Sequence, residues 1–169
     1  MRIVVSDSSC LIDLKKVSLL SAFLRLPFEF LIPNTLFEEE LLQFSASQKK
    51  SLLSAGLQIV DLPGNLVMRA RQLVGEMPSL SVHDGFAFAL AESRPDCILL
   101  SGDGKLRSLA RKKGLETHGV LWVLDEIHRC KVTGAASIAA ALRLFLEDPT
   151  VRLPRQRVRA YLKKYNSIK

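Results

Sequence analysis

Four acidic side chains sit where an α/β chain would gather them. Asp7 follows the apolar run Ile3 to Val5, Glu39 lies on the helix after a second run at Phe28 to Ile32, Asp84 stands in the first turn of a helix opened by Ser81, and Asp103 follows the run from Cys97 to Ser101. Carboxylates drawn into one pocket raise each other's pKa, and the arrangement becomes favourable when a hard cation neutralises it. All-oxygen donors imply Mg2+ or Mn2+, as one ion or two, and water acidified by such an ion can attack a phosphodiester in line. Taken singly, each acid has a simpler role. Asp7 and Asp103 can cap helices, and Asp84 has capping-box spacing from Ser81, as Glu38 has from Thr35.

The elements that would position these acids alternate. Ile3–Val5, Phe28–Ile32, the stretch 57–62, Cys97–Ser101 and the stretch 116–119 read as strands. Between and after them, helical spacing covers Leu11 to Leu24, a stripe of Phe37, Leu41 and Phe44, Asn65 to Val74 ended by Gly75 and Pro78, and the small-residue segment after Ser81. It recurs over Lys105 to Lys113 with Gly114 beyond, Leu121 to His128, Ser137 to Leu146, and Pro154 to Tyr165. This pattern predicts an α/β fold, with a mainly parallel sheet of four to five strands covered on both faces and right-handed crossovers. Loops at the carboxyl ends of such strands carry function, and Asp7 and Asp103 both fall there.

Charge divides the chain unevenly. Residues 1–148 hold 17 Lys and Arg against 17 Asp and Glu, so the whole formal excess of +7 lies in Arg152, Arg155, Arg157, Arg159, Lys163, Lys164 and Lys169. We therefore expect a body over 1–148 and a basic helical extension over 149–169 suited to a polyanion. Cys10, Cys97 and Cys130 are widely spaced and read as reduced core residues. The opening MRIVVSDSSCLIDL lacks a signal-peptide core and no apolar run approaches a membrane span, which places the expected location in the cytoplasm.

The joint pattern resembles the PIN-domain nucleases, including the VapC-type toxins of toxin–antitoxin pairs, over roughly residues 3 to 123. VVSDSSCLIDL is similar to the family's opening strand, acid and hydroxyl residues, and maps onto Asp7 with Ser9 in support. IPNTLFEEEL resembles its Ile-Pro segment with a Glu six residues after the Pro, which selects Glu39 from the run Glu38-Glu39-Glu40. LSVHDGFAFALA looks like its Leu-Ser-x-x-Asp helix start and gives Asp84, while CILLSGDGKLRSLARKKGL is similar to its last acidic turn and gives Asp103 with Ser101 beside it. The sequence departs from the commonest family pattern at Gly102 and Gly104, which leaves no fifth acid at that turn. The resemblance implies a PIN-like three-layer α/β/α sandwich and a metal-dependent endoribonuclease leaving 5′-phosphate and 3′-hydroxyl ends. Asp7, Asp84 and Asp103 would be metal ligands, and Glu39 a ligand or the group that orients the attacking water.

For substrate contact the sequence offers Lys105 and Arg107 after Asp103, and Arg155, Arg157 and Arg159 in the tail. RNA is the expected partner. An antitoxin protein is the competing partner for those cations, and a homodimer is compatible with either. His83, His118 and His128 read as surface or core residues, and Asp125 as a solvated helix residue. The contrasting function is a catalytically silent PIN-fold module that binds RNA or protein. A phosphoreceiver domain would want an acidic pair after the first strand, and a haloacid-dehalogenase phosphatase an Asp-x-Asp there; SDSS supplies neither.

Overall fold

A computed structural model describes all residues, 1–169, as five strands and ten helices. The strands are β1 (Arg2–Ser6), β2 (Phe28–Pro33), β3 (Gln58–Val60), β4 (Ile98–Leu100) and β5 (Glu116–His118), all parallel in the order β3-β2-β1-β4-β5. Val4, Val5, Ile98, Leu99 and Leu100 are wholly buried, as near-continuous β-branched and aliphatic runs require when both sheet faces are covered. Helices flank the sheet in a three-layer α/β/α sandwich.

The helices are α1 (Ser8–Lys16), α2 (Leu20–Leu24), α3 (Asn34–Glu39), α4 (Ala46–Ser54), α5 (Gly64–Glu76), α6 (Val82–Glu92), α7 (Gly104–Lys112), α8 (Val120–Arg129), α9 (Ala135–Glu147) and α10 (Arg155–Asn166). α6 is packed against β1, β2 and β4 and is backed by α5, whereas α8 meets α1 and α2. The α5–α6 approach is close because α6 carries Gly85. A Cβ there would lie 2.9 Å from the Ala70 carbonyl oxygen and 3.2 Å from the Ala70 Cβ. That packing seats the residue next to Asp84.

Three helical readings are corrected. The stretch Leu11–Leu24 is two helices, broken where Ser18 turns at φ 58° so that Leu19 can fold back into the core. The stripe of Phe37, Leu41 and Phe44 is not one helix either, since α3 ends at Glu39 and Leu41 and Phe44 reach the core from a turn. Ser45 then caps α4 in a capping box with Gln48, a helix the apolar spacing did not announce. Gly75 lies inside α5 rather than beyond it.

α10 joins the same core as the sheet. Val158 and Tyr165 are buried within the single apolar cluster that also holds Val4, Phe88 and Leu142. Burying two such side chains contributes roughly 2–3 kcal/mol each. The Tyr165 hydroxyl donates to Asp125 on α8, Lys164 pairs with the same carboxylate at 2.8 Å, and Arg143 on α9 donates to Asn166 at 2.9 Å. Asp125 thus fastens the last helix, and His128 meets the Tyr165 ring edge-on from the same face of α8.

Candidate active site

β1 is the central strand, with β2 on one side and β4 on the other, so the chain leaves β1 and β4 at neighbouring points. The Asp7 amide still donates to the Leu100 carbonyl at 2.9 Å, which holds the two strand ends together. Asp7 caps α1 and accepts from the Cys10 amide at 3.3 Å, while Asp103 caps α7 and accepts from the Lys105 and Leu106 amides at 2.8 and 3.2 Å. Asp84 and Ser81 form a capping box at the start of α6. The capping roles and the convergence coexist: each cap uses part of an oxygen's capacity and leaves the carboxylate facing one cleft.

That cleft has a volume of about 780 Å³ and is lined by only two apolar side chains. Asp7, Asp84 and Asp103 all line it, joined by Glu40 and by Asp13 from α1. Of the three consecutive acids, Glu40 enters the cleft and Glu39 does not. Glu40 follows the end of α3 and accepts from the Ser8 hydroxyl at 2.8 Å, whereas the Glu39 side chain is 61% exposed and pairs with His83 Nε2 at 2.6 Å. The two neighbouring acids part because α3 ends at Glu39 and the chain turns there. His83, on the same first turn of α6 as Asp84, lies between the two acids, with its Nδ1 3.9 Å from Glu40.

Asp7 is the most buried of the group, 5% exposed. Burial pushes its pKa up to about 6, opposed by hydrogen bonds from Ser101, Ser9 and the Cys10 amide and reinforced by the charge of Asp84. Burial likewise raises Asp13, with Lys16 opposing it and Asp148 adding to it. Both shifts come chiefly from burial, with repulsion from a neighbouring acid the smallest contribution.

Ser9 ties the two strand ends. Its hydroxyl donates to Asp7 Oδ1 at 2.6 Å and accepts from the Gly102 amide at 2.9 Å, and Ser101 Oγ accepts from the Asp103 amide at 3.0 Å. The absence of a side chain at position 102 now has a cause. A Cβ on Gly102 would lie 2.7 Å from Ser9 Oγ, so the space that an extra acid would need is filled by Ser9.

The basic residues divide differently from their order in the chain. Lys105 lines the cleft, with Lys16 of α1 and Arg152. Arg107 does not; its guanidinium donates to the Ser101 carbonyl at 2.6 Å and packs beside Gly119, bracing the turn that carries Asp103. Arg155, Arg157 and Arg159 are exposed on α10 and none reaches the cleft. His118 stacks on Trp122 at 4.3 Å and pairs with Glu116 outside it. Asp13, Lys16 and Thr150 are not singled out by the sequence, whereas Glu40 stands in its acidic run and Arg152 in its basic tail.

No helix is long and apolar enough to cross a membrane. No curated protein matches the sequence. A family model described as a PIN domain (DUF3368) matches residues 3–167, nearly the whole chain and α10 with it. With its strand order, its acidic cleft at the strand ends and this match in agreement, the chain belongs to the PIN-domain family, whose fold is of the nuclease type.

Proposed function

We propose that the chain is a metal-dependent endoribonuclease working in this cleft, with Asp7, Glu40, Asp84 and Asp103 as its principal carboxylates. The observation that carries the reading is that acids from separate elements line one cleft while the most buried of them, Asp7, is held at a pKa of about 6. No three of them close into a tight protein coordination shell. Mg2+ or Mn2+ would therefore have to be held by one or two of these carboxylates together with waters and substrate phosphate oxygens. When bound, the metal would supply Lewis acidity to the phosphodiester and lower the pKa of water at neutral pH.

The remaining tasks fall to the chain. Ser9 fixes the rotamer of Asp7, and the α7 amides fix Asp103, so that both carboxylates are preorganised. Glu40, steadied by Ser8 in the same cleft, is the acceptor that can orient a water or take its proton. Asp84 is held by Ser81 in their capping box.

The test is cleavage of single-stranded and structured RNA with Mn2+ or Mg2+, comparing the wild type with Asp103→Asn. A metal-dependent wild-type activity that falls by about 10³-fold in the variant is expected, several kcal/mol of transition-state stabilisation being lost. Equal cleavage by both proteins would overturn the reading, and metal-dependent RNA binding without cleavage would leave a silent binding module. A narrower expectation follows from Ser9: Gly102→Ala should displace its hydroxyl and slow cleavage about 10- to 100-fold, the usual scale for a group that orients a ligand. Its thermal midpoint should move little. Within the same reading the protein acts as the toxin of a toxin–antitoxin pair, with an acidic antitoxin segment as its partner. Induced expression of the wild type, and not of Asp103→Asn, should then arrest growth.

A further inference from the structure

The seven residues between α9 and α10, 148–154, contribute to the acidic cleft: Thr150, Arg152 and Leu153 line it together with Asp84 and Asp103. This segment is anchored. The Thr150 amide and hydroxyl both donate to Asp148 Oδ1, at 2.8 and 2.6 Å, and Lys16 Nζ donates to Thr150 Oγ1 at 2.8 Å. On its far side α10 is buried through Val158 and Tyr165. Arg152 itself is exposed and makes no ion pair, although five carboxylates share its cleft.

A strand entering this cleft carries one phosphate per nucleotide into a field of acids. Metal can neutralise the charge at the scissile position, but the neighbouring phosphates need cations of their own. Three side chains could provide one: Lys16, whose ammonium is committed to Thr150, and Lys105 and Arg152, neither of which has a side-chain partner in the protein; of these two only Arg152 carries a fork. An arginine fork bonds two phosphate oxygens at once and stays charged at every working pH. We infer that Arg152 is a substrate-contacting residue that holds a phosphate flanking the scissile bond, and that α10 serves the reaction by fixing the connector that presents it. This inference rests on the nuclease reading for its substrate, yet it can be judged without cleavage.

The experiment measures binding of a labelled single-stranded RNA by full-length protein carrying Asp103→Asn, so that cleavage does not interfere, with and without Arg152→Ala. Losing one phosphate contact should weaken binding several-fold at low salt and flatten the slope of log K against log [salt] by about 0.7, the single-strand value per contact. Arg152→Lys should keep the slope and recover only part of the affinity, since an ammonium cannot make the bidentate contact. Arg71→Ala, which removes an exposed cation on α5 away from the cleft, should change neither quantity. Mn2+ binding, followed directly by calorimetry on the Asp103-intact protein, should be equal or tighter in Arg152→Ala, because the cleft loses a positive charge. In cleavage assays Arg152→Ala should raise KM with kcat within about twofold. An unchanged salt slope and affinity would overturn the assignment, as would an equal loss with Arg71→Ala. A flattened slope in a protein whose wild type cuts no RNA would instead sink the nuclease reading and leave the phosphate contact standing.

Discussion

Asp7→Asn is expected to abolish cleavage while making the metal-free protein more stable. The activity loss should be about 10³-fold or more, because an amide oxygen is a far poorer ligand for a hard cation than a carboxylate. The stability gain follows from the environment of Asp7. Its pKa rises from 3.8 in the reference state to about 6 in the fold, chiefly through burial. Between these values the folded chain holds the proton more tightly than the unfolded one, so stability falls as pH rises from about 4 to 6 and stays at its lower level above. The full cost is on the order of 2–3 kcal/mol at pH 8. Asparagine keeps an oxygen to accept from Ser9 and the Cys10 amide but carries no charge. Thermal unfolding without divalent ions should therefore separate variant from wild type at pH 8 and bring them together near pH 4. Added Mn2+ should close the gap at pH 8 by stabilising the wild type alone. A variant that is less stable than the wild type at pH 8 would show that Asp7 is ionised and structurally required without metal.

The second large effect separates two adjacent acids. Glu40→Gln should reduce turnover about 10²- to 10³-fold, the usual range for a positioned acid–base group, and Glu39→Gln should leave it within about threefold. The expectation comes from direction alone. Glu40 faces the cleft and takes the Ser8 hydroxyl, whereas Glu39 is turned outward to His83. Comparable losses from both substitutions would mean that the Glu39–His83 pair is needed to seat Glu40, and single-turnover rates with Glu39→Gln,His83→Asn would reveal that coupling. A large loss from Glu39→Gln alone would restore the register that the Ile-Pro spacing favours.

Much of this architecture is legible in residue order. Alternating apolar runs and helical stripes give a parallel sheet, because a strand buried on both faces has no other composition to adopt. Asp7, Asp84 and Asp103 are legible for a related reason. Each stands at a strand end or a helix start, positions set by local capping chemistry within three or four residues.

What residue order left open was decided over longer distances. Glu39 and Glu40 are neighbours with the same chemistry, and only the end of α3, the turn that buries Leu41 and the reach of Ser8 from α1 choose between them. Arg107 looked like a substrate cation because it follows Asp103 by four residues, yet the nearby Ser101 carbonyl claims it. Arg152 looked like one of many charges in a basic tail, yet the docking of α10 brings its connector back over the strand ends. Chain-local hydrogen bonding and apolar periodicity act between near neighbours and so are written in the sequence. Which of several equivalent charges faces a shared cleft depends on which element packs against which, 32 residues apart for Ser8 and Glu40 and 134 for Lys16 and Thr150, and that exists only once the chain has folded.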